Sequence, residues 1–114
     1  GGATPAVYQA FVDFGATVPP MTSEDYNGWL KIWQKNKLQS FAPTYPSYQW
    51  RTVIIAAVHI LKGESVPKEW VLPQSNITND NVAQYARADL PDQHWAMCGC
   101  DQIPGFLEKL WGTQ

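Results

Sequence analysis

Thr17-Val18-Pro19-Pro20-Met21-Thr22-Ser23-Glu24-Asp25, the helical stretch that follows to about Asn36, and Leu38-Gln39-Ser40-Phe41-Ala42 together decide the fold. The first run, residues 17–21, is short and extended, because Pro19-Pro20 forbids a regular central ladder. Thr22-Ser23-Glu24-Asp25 then reads as a helix start: a hydroxyl cap followed by first-turn acids that suit the positive end of a helix dipole. Trp29, Leu30, Ile32 and Trp33 recur at helical spacing and are expected to face inward. Residues 38–42 resume an extended run. The order strand, helix, strand is that of a βαβ unit, whose strands lie parallel.

Upstream of this unit, Thr4 serves as a helix N-cap with Pro5 at the first helical position. Val7, Phe11 and Phe14 fall on one face with Tyr8 beside them, and Gly15 marks the stop. Downstream, Pro43-Thr44-Tyr45-Pro46-Ser47-Tyr48 is a loop rich in aromatic and hydroxyl groups. Residues 49–62 form the strongest helix of the chain, ending at Gly63. Its apolar positions Val53, Ile54, Ala57, Val58 and Leu61 make a face wide enough for burial on more than one side. Trp70-Val71-Leu72 is a third strand, stopped by Pro73. Thr78-Asn79-Asp80-Asn81 caps a short helix to about Arg87. Residues 88–105 read mainly as loop, and 106–111 as a final helical turn or two. Three short strands with covering helices make a thin α/β domain with an open edge.

Composition sets the outer bounds. A chain of 114 residues is one small domain or a piece of one, able to bury roughly two-thirds of its unfolded surface. With 45% apolar and 16% charged residues it is too hydrophobic to be a disordered tail. A net charge of −2 with scattered Lys and Arg gives no electrostatic footprint for nucleic acid. The longest apolar stretch, residues 53–61, is interrupted by His59 and falls well short of the ~20 residues that span a bilayer. Gly1-Gly2-Ala3 lacks the basic and apolar segments of a secretory signal, so the chain is expected to be cytosolic or already processed. Six Trp and nine Pro mean many rigid anchors and many enforced breaks, and aromatic residues beyond core needs line sites for flat or ring-shaped ligands.

Chemistry of the bond-breaking kind finds no support. The chain has no Gly-rich phosphate loop, no G-x-S-x-G elbow and no H-E-x-x-H motif. Glu24, Asp25 and Asp101 have no spacing that favours acid–base work over solvation. Cys98-Gly99-Cys100, with His59 and His94 the only histidines, falls short of a tetrahedral zinc set. A disulfide across one glycine, a redox pair and a purely structural role all stay open for the cysteines, and the structural role is preferred. No cofactor or metal is expected.

Several segments, in order and spacing, carry a resemblance. They are Gly1-Gly2-Ala3-Thr4-Pro5, then Pro20-Met21-Thr22-Ser23-Glu24-Asp25-Tyr26-Asn27-Gly28, then Thr44-Tyr45-Pro46 before a long helix ending Leu61-Lys62-Gly63-Glu64. Val66-Pro67-Lys68-Glu69-Trp70-Val71-Leu72-Pro73-Gln74, Ile77-Thr78-Asn79-Asp80-Asn81 and Cys98-Gly99-Cys100-Asp101-Gln102-Ile103-Pro104-Gly105 continue it. The chain resembles the periplasmic sugar-binding proteins of bacterial ABC importers, in particular the ribose/galactose-binding-like class, over its C-terminal segment only. The resemblance implies part of the C-terminal lobe of a type I periplasmic binding protein: an α/β fold, a partial three-layer sandwich with a short, mainly parallel sheet. Residues 1–87 would form the partial lobe with the final hinge crossing, and 88–114 a loop-rich tail with a short helix. It further implies a non-catalytic solute-binding component, periplasmic, that delivers a sugar or related small polar ligand to an ABC permease, with no nucleic acid and no membrane insertion.

Sugar recognition needs polar groups that pair with hydroxyls and aromatic faces that stack on the ring. Ligands of open α/β sheets sit outside the carboxyl ends of the strands. Two loops fit that position, and the candidate ligand-binding residues are Ser23, Glu24 and Asp25 on the first and Thr44, Tyr45 and Tyr48 on the second. By resemblance the first loop supplies a carboxylate, with Ser23 standing at that position and Glu24 or Asp25 reaching in, while Thr44 stands near a family Asn or Gln. Plain readings stand beside these: Glu24 and Asp25 as first-turn acids, Thr44 as a cap on backbone groups. The alternative function is a stand-alone interaction or assembly domain, in which Trp-rich faces and the open sheet edge pair with a second copy as a homodimer.

Overall fold

The computed structural model describes residues 2–45, 49–69, 71–72 and 74–96. The chain divides into two compact units, one of residues 1–45 with 74–96, the other of 46–73 with 97–114. Tyr48, Trp70, Cys98 and Cys100, and with them the expected final helix, lie outside the described residues.

The first unit holds α1 (Thr4–Asp13), β1 (Met21–Thr22), α2 (Asn27–Asn36) and β2 (Ser40–Pro43). After the second unit's α3 (Gln49–Leu61), it resumes with β3 (Asn76–Ile77) and α4 (Val82–Tyr85). Its strands lie in the order β1-β2-β3. β1 pairs parallel with β2, Met21 opposite Ser40 and Thr22 opposite Phe41, as the βαβ reading requires. β3 runs antiparallel to β2, Ala42 opposite Ile77 and Pro43 opposite Asn76. The sheet is therefore mixed where a mainly parallel one was expected. The third strand is also displaced: Val71 and Leu72 have no regular structure, and the pairing falls on Asn76–Ile77.

The core forms where α2 lies on the sheet. Trp29, Leu30 and Trp33 are buried against Ala42, Ile77 and Val82, with Met21, Ile32, Leu38 and Tyr85 packed around them. Both buried indoles find partners: Trp29 Nε1 donates to Ser40 Oγ at 3.2 Å and Trp33 Nε1 to Asn79 Oδ1 at 3.2 Å. Such a pair of anchors combines large apolar burial with a satisfied polar edge. Asn79 also accepts from the Ser40 N–H and donates to the Leu38 carbonyl, which ties the start of β2 to the turn before α4. α1 and α4 each pack against α2. On α1 the residues turned toward the core are Thr4 and Tyr8, whereas Val7 and Phe14 are exposed, contrary to the face read from spacing. Alternation along β2 buries Ala42 and exposes Phe41, so the side of β2 that carries Ala42 faces the core.

Helix C-termini follow local chemistry, whereas α1 starts with Ala3 as its N-cap and no side-chain cap hydrogen bond, so Thr4 is its first helical residue and not the expected cap. α1 closes through Gly15 at φ +64, with Gly15 N–H on the Val12 carbonyl and Ala16 N–H on that of Phe11, a Schellman cap. α3 ends the same way at Gly63, whose φ is +76. α2 ends on Lys37 at φ +52, a left-handed turn without a glycine. α2 begins at Asn27 with Tyr26 as N-cap, so Glu24 and Asp25 precede the helix and are not its first-turn acids. In the second unit, Trp50, Val53, Ile54, Val58, Ile60 and Leu61 of α3 are all exposed and Thr52 is its buried residue. The wide apolar face expected to be buried is thus open, because the described residues of that unit supply no second layer to cover it.

Candidate functional site

Parallel pairing of β1 and β2 places the two loops that follow them side by side, at the carboxyl ends of both strands. The Ser23 N–H donates to the Phe41 carbonyl at 3.1 Å, which carries the ladder one residue past β1. Asp25 is fully buried, and its Oδ1 accepts the Tyr45 N–H at 2.7 Å. One carboxylate therefore joins the first loop to the second. Beside it, the Ser23 hydroxyl is buried with no hydrogen-bond partner among the described residues. A buried hydroxyl without a partner costs free energy unless something else satisfies it.

Thr44 is buried as well, and its role is in the fold. Its N–H donates to the Ser75 carbonyl and its Oγ1 accepts the Ser75 N–H, both at 2.8 Å. This is the plain backbone-pairing role open to a strand-end hydroxyl. Glu24 is half-buried and Tyr45 is 40% exposed. The structure therefore brings together five of the residues read from sequence, Ser23, Glu24, Asp25, Thr44 and Tyr45, within two adjoining loops.

A third segment joins them that the sequence reading treated as loop and tail. Residues 92–96 run alongside residues 25–28, with Tyr26 and Trp95 paired in an isolated antiparallel bridge. The Asn27 N–H donates to the His94 carbonyl at 2.8 Å, the Gly28 N–H to that of Asp92 at 3.0 Å, and the Ala96 N–H to that of Asp25 at 2.9 Å. The first two N–H groups of α2, which have no partner inside the helix, are satisfied this way. Trp95 consequently contacts Tyr26 edge-on at 5.7 Å between ring centroids and Tyr45 at 5.6 Å with a 46° tilt. Tyr26, Tyr45 and Trp95 make an aromatic cluster beside the Asp25 carboxylate. Nothing in the spacing around Trp95 signals this, since residues 88–96 have no periodicity; the only cue was the excess of Trp.

Chemically, the loops offer a buried carboxylate, a buried hydroxyl in need of a partner and partly exposed aromatic rings. The partly exposed rings suit the apolar C–H face of a small ligand, while the Asp25 carboxylate and the Ser23 hydroxyl are closed to solvent. Among the described residues no group of three or more His, Cys, Asp or Glu could hold a metal ion. No described helix is long and apolar enough to cross a membrane. A separate groove of about 330 Å³, lined by Trp33, Lys37, Leu38, Asn79 and Val82, lies at the amino end of β2, away from these loops. No protein-family model, curated protein or solved structure matches the chain.

Proposed function

We propose that the chain is a non-catalytic solute-binding module, part of the C-terminal lobe of a type I periplasmic binding protein. In this reading it takes a sugar or related small polar ligand and, with an opposing lobe, presents it to an ABC permease from the periplasm. The observation that supports it best is the junction of the two strand-end loops through Asp25 and Tyr45, with a Ser23 hydroxyl in the first loop that is buried and has no hydrogen-bond partner among the described residues. Closure of two lobes on a ligand would give the permease its signal through differential affinity for the open and closed forms. The test is an NMR titration of the isotope-labelled chain with D-ribose and D-galactose, a method sensitive to weak binding. Shifts confined to residues 23–26, 44, 45 and 95 are expected. Absence of shifts with a panel of pentoses and hexoses would sink the reading.

A second reading, an assembly domain, is favoured by one observation. α3 exposes Trp50 at 68%, Ile54 at 65% and Leu61 at 87%, and contiguous apolar faces of this kind mark association surfaces. Sedimentation velocity separates the readings: a concentration-dependent dimer abolished by Ile54→Lys with Leu61→Lys supports assembly, and a monomer at all concentrations rejects it.

A further inference from the structure

The Asn27 side chain has an unusual amount of bonding for one amide. Its Nδ2 lies 2.9 Å from the Arg87 carbonyl, 3.1 Å from that of Leu90 and 3.0 Å from that of Pro91, and its Oδ1 accepts the Arg87 N–H at 2.9 Å. The residue is fully buried. Lys31, one turn further along α2, reinforces the same contact: its Nζ donates to the Leu90 carbonyl at 2.9 Å and pairs with Asp92 at 2.8 Å. Gly28 lets the segment approach closely, since a Cβ there would stand 3.1 Å from Asp92 Cβ. One face of α2 is thus committed to holding residues 87–92, and those residues lead directly into Trp95.

We infer that Asn27 is a positioning residue for the candidate site: by fixing residues 87–91 it sets where the Trp95 ring stands against Tyr45, making residues 92–96 a wall of the site. Three carbonyls cannot converge without a shared donor, because their like dipoles repel. The Asn27 amide supplies that donor, and the backbone that emerges from the clasp enters the bridge with Tyr26 already aligned. Orientation achieved before binding removes an ordering cost from the bound state. The effect on ligand affinity rests on the solute-binding reading; the placement of Trp95 does not.

The experiment uses the full chain labelled with 5-fluorotryptophan, with the Trp95 resonance assigned by Trp95→Phe. Asn27→Asp keeps the acceptor and the size but removes the donors, and Lys31→Met is a milder cut in the same clasp that keeps the chain folded if Asn27→Asp does not. In folded variants the Trp95 resonance is expected to shift or broaden while those of Trp29 and Trp33 stay, a pattern that general loosening would not give. A Trp95 resonance unchanged in the folded variants would overturn the inference. D-galactose and D-ribose titrations supply the second arm, with affinity expected to fall roughly tenfold in Asn27→Asp and in Trp95→Phe. Unchanged affinity alongside a moved resonance would remove Trp95 from the site and overturn the inference as well. If neither sugar binds the wild-type chain, the solute-binding reading fails while the fluorine spectra still decide the role of Asn27.

Discussion

Asp25 sits at 0% exposure with the Tyr45 N–H as one of its partners, and its truncation would strand that N–H in a dry place. Asp25→Ala is expected to lower stability by roughly 1–3 kcal/mol, the cost of an unsatisfied buried group, read from the urea midpoint. Lys37 poses the opposite case. At φ +52 its Cβ crowds the backbone, so Lys37→Gly should raise the unfolding free energy by about 1 kcal/mol, measured in the same way. The exposed pair Arg87–Asp89 gives a pH signature: the charged hydrogen bonds from Arg87 hold the Asp89 carboxyl down at about 2. A folded value below the unfolded one means that the pair's contribution is present above about pH 4 and is lost as pH falls through about 2. A carboxyl-detected NMR titration should give that midpoint, and Arg87→Gln should return it to the ordinary aspartate range.

At the scale of elements, α2 carries the architecture. Burial of Trp29, Leu30 and Trp33 on β2 and β3 makes Trp33→Ala expected to cost about 3–5 kcal/mol, enough to leave a small unit largely unfolded in a thermal scan. α2 was legible in the sequence because its apolar spacing is strong and its first residues follow a short extended run. Its start was misplaced, because Thr22 and Ser23 look like caps while the true orphan N–H groups are satisfied by carbonyls of Asp92 and His94, some sixty-five residues away. β3 was misplaced for a related reason. Trp70-Val71-Leu72 has the higher strand propensity, yet pairing is decided by what stands opposite β2, and a two-residue strand has no pattern of its own. The site loops were legible through their position after strands. Trp95 was not, because only a long-range bridge brings it there.

The whole molecule divides its stability unevenly. Among the described residues, all six buried hydrophobic ones belong to the first unit, while the described part of the second buries only Thr52. Local opening follows apolar burial, so amide hydrogen exchange is expected to be slowest in α2 and markedly faster in α3. The opposite order would show that α3 is covered. The paired hydrogen bonds between Thr44 and Ser75 also have a bearing on synthesis. They close the point where the chain departs for residues 46–73 and comes back, so β2 emerges from a ribosome with only one neighbour and waits for its other edge until residue 77 appears. Until then that strand is an adhesive border, and shortening the intervening excursion should speed its sealing while changing the finished unit little, since closure entropy depends only weakly on loop length.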